Sequence, residues 1–202
     1  MAIVINGSGT VTGISVGGLP DAIVDDGTLA TDSVTAAKLE ASAITVGDLP
    51  AGSVLQVLQS VKSDTTSTAG ISFTDTGLTV DITPSSTSSK ILVSFSTVIG
   101  GSTSSGHTNQ VRLVRDSTGI FVGDAASSRT QSGLQYSHTV AQVAGFSGTY
   151  LDSPSTTSAT TYKLQFLAEN GNTCYINRSG GDADNYYHGR FASSITVMEI
   201  AG

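Results

Sequence analysis

The segment RSGGDADNYYHGR, Arg178 to Arg190, gathers the side chains best suited to binding chemistry in this chain of 202 residues. It holds Asp182, Asp184, Asn185, Tyr186, Tyr187, His188 and Arg190. Flat aromatic faces stack on the C–H patches of sugar rings, and neighbouring Asp, Asn, His and Arg side chains exchange hydrogen bonds with the hydroxyls. Glycines let the segment bend, and a loop carried on a rigid β-framework is where such sites are commonly built. The same residues admit a structural reading, because paired tyrosines also fill interfaces between subunits. The Ser/Gly-rich loops around His107 (GGSTSSGHTNQ) and Arg129 (GDAASSRTQSG) are weaker versions of such a site.

Other chemistry is thinly supplied. GISVG, Gly13 to Gly17, matches the G-x-S-x-G pattern, which needs a strand before the serine and a helix after it. Leu19-Pro20 stands where that helix should begin, so Ser15 is not read as a nucleophile and no catalytic residue is assigned. His107, His138 and His188 lie far apart, and none has metal-ligand spacing to another His or to Cys174. Asp182, Asp184 and Asn185 offer oxygens that suit calcium, without the remaining acidic ligands of a full loop site. No metal and no cofactor is expected. Polysaccharide hydrolysis needs paired carboxylates across a groove, and the acids here are scattered, so the chain is not read as an enzyme. Cys174 is the only cysteine, which rules out an intrachain disulfide; in a strand-like run it reads as a small buried hydrophobe. The sequons at Asn6 and Asn177 mean little without secretion.

Charge narrows the partners. Nine Lys+Arg against sixteen Asp+Glu give a formal net charge of -7. That leaves no basic face for the phosphates of a nucleic acid, nor for an anionic membrane surface. No apolar run nears the roughly 18 residues of a membrane span, so no membrane insertion is expected. MAIVING has neither a basic n-region nor a long apolar core, and is not read as a signal peptide.

The elements that must position the loop are mostly strands. Only 12% of residues are charged and 23 are glycine, a composition suited to a β-fold rich in turns. Alternation puts Leu78, Val80 and Ile82 on one face; Ile91, Val93, Phe95 and Ile99 on another; and Tyr162, Leu164, Phe166 and Ala168 on a third. SVLQVLQSV, Ser53 to Val61, is apolar on both faces and is expected between two layers. QVRLVRD, IFVGD, HTVAQVAGF, TCYINR and SSITVMEIAG read as further strands, the last sewn into a sheet. ENGNT, Glu169 to Thr173, carries an Asn-Gly turn, the strongest hairpin signal in the chain. Eight or nine such strands argue for an antiparallel β-sandwich of jelly-roll type.

Before Gly52 the pattern changes. ISVGGLP, from Ile14, returns as ITVGDLP, from Ile44, which reads as a duplicated turn or a repeated shaft unit. Between the copies, DSVTAAKLEASAI, Asp32 to Ile44, favours a short helix with Thr31 or Asp32 as N-cap. Ala30, Val34, Ala37, Ala41 and Ile44 form an a/d stripe, and Ala36, Leu39, Ala43 and Val46 a second one. Two apolar faces on one marginal helix are hard for a single thin arm to bury, and easier for copies packed about an axis. The alternative is packing against the chain's own β-domain.

GTVTGISVGGLPD (Gly9 to Asp21) and TDSVTAAKL (Thr31 to Leu39) resemble the N-terminal and shaft regions of tail-fibre proteins of tailed bacteriophages, particularly marine and cyanobacterial ones. TPSSTSSKILVSFS, LDSPSTTSATTYKLQF, YINRS and ASSITVMEIAG look like the terminal β-domain of the same proteins. The resemblance implies a homotrimeric virion appendage, docked on another virion protein through its N-terminus and meeting the host surface through its head. The organisation it suggests is a virion-anchoring arm over 1–30, a short helical neck and turn over 31–52, and a β-sandwich head over 53–202. Val34, Ala37, Ala41 and Ile44 would line the trimer neck, and a host cell-surface glycan would be the target of the Asp182–Arg190 loop. The alternative is a capsid decoration or head-fibre protein that stabilises the particle without binding a receptor.

Overall fold

A computed structural model describes residues 34–35, 39, 43–102, 107–137 and 142–202. The chain divides after Thr45, and the fold described below is that of Val46–Gly202. Among the described residues the only helical element is a 3-10 turn, Val46–Asp48. Eleven strands follow: β1 (Val54–Lys62), β2 (Thr66–Thr68), β3 (Thr74–Ile82), β4 (Lys90–Gly101), β5 (Thr108–Arg115), β6 (Thr118–Ile120), β7 (Leu134–Ser137), β8 (Val143–Asp152), β9 (Thr160–Ala168), β10 (Cys174–Ile176) and β11 (Ser193–Ile200).

The strands form an antiparallel β-sandwich. One sheet has the order β1-β11-β4-β10-β2 with β8 also paired to β4; the other has β3-β9-β5-β6 with β7 also paired to β5. Of the eight strands longer than three residues, the first pairs with the last, the second with the seventh, the third with the sixth and the fourth with the fifth. Such pairing is one long antiparallel ribbon wound so that successive pairs fall in opposite sheets. β4 runs the length of its sheet. Along one edge it pairs with β8, and the other edge is shared by β11 over Lys90–Ser96 and β10 over Ile99–Gly101.

The core lies between the sheets and follows the period-two pattern. Leu78, Val80 and Ile82 of β3, Ile91, Val93, Phe95 and Ile99 of β4, and Tyr162, Leu164, Phe166 and Ala168 of β9 are all buried. Ile195 and Val197 of β11 join them, so the final strand is sewn between β1 and β4. Cys174 is buried too, and burial pushes its thiol pKa upward, which keeps it protonated and inert. The Asn-Gly turn forms, with Gly171 at φ 82 and Asn172 N–H donating to the Glu169 carbonyl at 3.0 Å, but the hairpin expected there does not: β9 and β10 lie in different sheets, so the turn carries the chain from one sheet to the other.

Three further expectations are corrected. Val34, Thr35, Leu39, Ala43 and Ile44 are not helical, so no continuous helix spans Asp32 to Ile44. Val34 and Ile44 of the proposed neck are more than half exposed, whereas Ala37 and Ala41 lie outside the described residues. A segment this short does not sustain helix without a packing surface, and the described residues find none. Second, β1 is not sandwiched. It is an edge strand, and Val54, Val57, Leu58 and Val61 are exposed. Third, the strand expected over IFVGD stops at Ile120, because Phe121 adopts φ 52.

Candidate functional site

The loop from Arg178 to Arg190 is pinned at its base by Asn177. This residue ends β10 in the left-handed region at φ 63, which asparagine tolerates better than most residues. Its Nδ2 donates to the carbonyls of Lys62 at 2.8 Å and Asp64 at 3.0 Å. The Ser193 hydroxyl donates to its Oδ1 and shares a further bond with the Thr97 hydroxyl. Asn177 N–H donates to the Val98 carbonyl, and Phe191 N–H donates to the Asn177 carbonyl at 3.0 Å. Entry and exit of the loop are thus tied to one fully buried residue. Arg178 and Arg190 form an antiparallel bridge just above it. The result is an Ω-shaped loop with a closed neck.

Electrostatics organise its interior. Arg178 lies over the Tyr175 ring, 3.7 Å from the centroid, and reaches the Asp182 carboxylate at 3.2 Å. Arg190 binds the same carboxylate from the other side. Asp182 is therefore committed to two guanidinium groups and is a poor candidate for a cation ligand. His188 packs against Gly181, where any side chain would overlap the imidazole, and its Nδ1 lies 3.1 Å from the Ala183 N–H. Asn185 N–H donates to the Ala183 carbonyl and His188 N–H to the Asn185 carbonyl, a tight turn that throws two rings outward. Tyr186 is 98% exposed and Tyr187 57%. Their rings meet edge to face at 5.3 Å, and Tyr187 meets His188 at 4.7 Å. Below them is a depression of about 280 Å³ lined by Asp182, Ala183, Asp184, Asn185, His188 and Arg190.

Of the seven residues singled out between Asp182 and Arg190, Asp182, Asp184, Asn185, His188 and Arg190 line this depression, and Tyr186 and Tyr187 stand outside it. No family model matches the chain, and no curated protein matches it. The other candidates stand apart from this loop. His107 lies beside the Gly171 turn, and Arg129 is exposed on the connection between β6 and β7. Ser15, Asn6 and His138 lie outside the described residues. Asn177 is fully buried, so its sequon is closed to a glycan in the folded chain.

Sequence reasoning missed a second concavity of about 480 Å³, lined by Phe121, Val122, Gly123, Ser132, Gly133 and Tyr150. Phe121 sits there in its left-handed conformation, its ring 6.0 Å from Phe95 and 5.9 Å from Tyr150. Gly148 makes this possible, since a Cβ there would come within 2.9 Å of both Phe95 and Phe121. The one sequence signal was the pairing of Phe121 with nearby glycines, and a β-alternation scan does not register it.

Position within the sandwich bears on use. Gly52 N–H donates to the Ala201 carbonyl, so the segment leading into β1 and the last residues of the chain adjoin at one end. β4 starts at that end and finishes at Gly100 and Gly101, beneath the loop. A Cβ on Gly100 would overlap the Arg178 carbonyl and lie 3.0 Å from Ser179 Cα. About ten strand residues separate the two ends, roughly 30 Å.

Proposed function

We propose that the chain is a structural virion protein, a short homotrimeric phage tail fibre whose head attaches to a host-surface glycan through the Arg178–Arg190 loop. Residues 1–30 are the arm held by another virion protein, residues 31–52 the neck where Val34, Ala37, Ala41 and Ile44 meet their symmetry mates, and residues 53–202 the head. The ribbon winding of the two sheets supports a jelly-roll reading of that head. The phage assignment rests on the sequence resemblance.

One observation supports attachment above the rest. Tyr186 and Tyr187 stand in solvent at the end of the sandwich opposite the entering chain, on a loop whose base is fully hydrogen-bonded. Exposed aromatic rings on a rigid base lose little conformational entropy on binding. The exposed Asp184 carboxylate and the half-buried His188 ring offer hydrogen bonds beside them. Single sites of this kind are weak, and three on one fibre bind a cell surface by multivalency.

The test is binding of the full-length protein to host cells and to a glycan array. Replacing both tyrosines, Tyr186→Ala with Tyr187→Ala, lowers apparent affinity by about tenfold or more at unchanged β-sheet circular dichroism. Undiminished binding by that variant removes the loop from the mechanism.

A further inference from the structure

The two sheets present very different surfaces to the outside. On the β3-β9-β5 sheet the outward side chains are charged and mutually bonded. Lys163 pairs with Asp75 at 2.8 Å, Gln165 donates to Asp75 at 2.7 Å, and Arg112 donates to Gln165 at 2.8 Å. This is how a sheet face looks when water covers it.

The outward face of the β1-β11-β4-β8 sheet is built otherwise. Its register lines up Val57, Met198, Leu92 and Leu151 as one apolar row across all four strands. Val57 is 54% exposed and Leu151 55%. On one side lie the rows Gln59–Thr196–Ser94–Thr149 and Val61–Ser194–Ser96–Ser147, and on the other the row Val54–Ile200–Lys90. Lys90 is the only charged side chain along those four outward rows, at a corner, bonded to the Ser153 hydroxyl at 2.9 Å. The acids of these strands, Asp152 and Glu199, point inward and are buried.

We infer that this nearly uncharged face, centred on the row Val57–Met198–Leu92–Leu151, is an interface between copies of this chain. The inference rests on the homotrimeric reading for the number of copies; the face is argued from the sheet alone. Each copy carries a formal net charge of -7. Copies of the same net charge add least repulsion where the surfaces that meet carry almost no charge, and this face, with Lys90 alone at its corner, is such a surface. A strongly charged partner would find nothing here to pair with. Four strands by about eight residues cover roughly 500 Å². A stable interface takes about 800 Å² per partner, so the face alone falls short. The exposed Val46, Leu49 and Val54, on the same unit, add apolar surface at the start of β1 and the turn before it.

The test is sedimentation velocity of the full chain at micromolar concentration. The wild type is expected to sediment as an oligomer. Val57→Lys with Leu151→Lys, both on exposed positions, is expected to sediment as a monomer with unchanged β-sheet circular dichroism. A variant that stays oligomeric like the wild type overturns the face and leaves the trimer reading standing. A monomeric wild type overturns both. Should the double variant fail to fold, Leu151→Cys gives a second measurement, because the one native cysteine, Cys174, is buried. Maleimide labelling of that thiol is expected to be slow and to speed up on dilution. Fast labelling that does not depend on concentration overturns the proposal.

Discussion

Asn177 and Lys62 are joined by a buried hydrogen bond, Asn177 Nδ2 to the Lys62 carbonyl at 2.8 Å, that fixes the root of the Arg178–Arg190 loop to the end of β1. Asn177→Ala removes it together with the bond to Asp64, takes away the Oδ1 that accepts from the Ser193 hydroxyl and puts alanine at φ 63. Each lost buried bond costs about 1–3 kcal/mol. A left-handed alanine adds about 1 kcal/mol. Urea unfolding should show a loss of about 3–7 kcal/mol on these terms, two bonds and one left-handed alanine. A change below 1 kcal/mol would mean that the loop root is held by other contacts.

Gly100 is the second test of the same root. With a methyl group there, the Arg178 carbonyl and Ser179 Cα must move, and both are backbone. Gly100→Ala is expected to destabilise the fold by about 1–3 kcal/mol. On the proposed attachment role it should also weaken binding to host cells, because the loop shifts. Gly145 faces outward on the paired strand β8 with open space above it, so Gly145→Ala serves as the control and is expected within about 0.5 kcal/mol of wild type. Equal effects at the two positions would refute the close-approach argument.

Glu199 sets a pH dependence. Its side chain is buried, which alone raises the carboxyl pKa, but Ser85 N–H at 2.7 Å, the Ser85 hydroxyl at 2.6 Å and Gln56 Nε2 at 2.6 Å stabilise the anion and hold the pKa below the usual 4.5. A carboxyl depressed on folding stabilises the fold above its unfolded pKa and loses that contribution as pH falls through the folded pKa. Thermal stability is therefore expected to fall as pH drops below 4.5. Glu199→Gln should cost about 1–3 kcal/mol near neutrality and flatten that acid slope. A slope identical to wild type would remove Glu199 from the acid transition.

The framework was legible because alternation is a local signal. β3, β4 and β9 each expose a clean apolar face in the sequence, and the structure buries those faces. β1 misled for a physical reason: VLQVL is apolar on both faces, and sequence does not say whether the second face meets its own chain or another surface. The stretch around Val34 and Leu39 has helix-forming residues, but propensity over so few residues does not replace packing. The loop residues were found by composition. Their arrangement was not, because the partnership of Asp182 with Arg190 depends on the antiparallel closure at Asn177, which is set by distant residues such as Lys62 and Val98.

Asp182 separates local from global stability. It bridges Arg178 and Arg190, and about half of its side chain is exposed. Solvent-screened pairs of this kind contribute about 0–1 kcal/mol each, so Asp182→Ala should move the melting temperature little. The loop is different, because its upper half has few other cross-links: the turn bonds at Asn185 and His188, and the His188–Ala183 contact. Opening of that half should become easier, and amide hydrogen exchange at residues 181–188 is expected to speed up about three- to fivefold, the size of a loss near 1 kcal/mol. High salt should accelerate the wild-type loop toward the same rate, because both pairs are screened. Asp184→Ala is the comparison, since Asp184 is exposed and makes no ion pair among the described residues; it should leave exchange unchanged. If the two variants exchange alike, the double-arginine clamp is not what orders the loop, and the rigid base assumed for Tyr186 and Tyr187 must come from Asn177 alone.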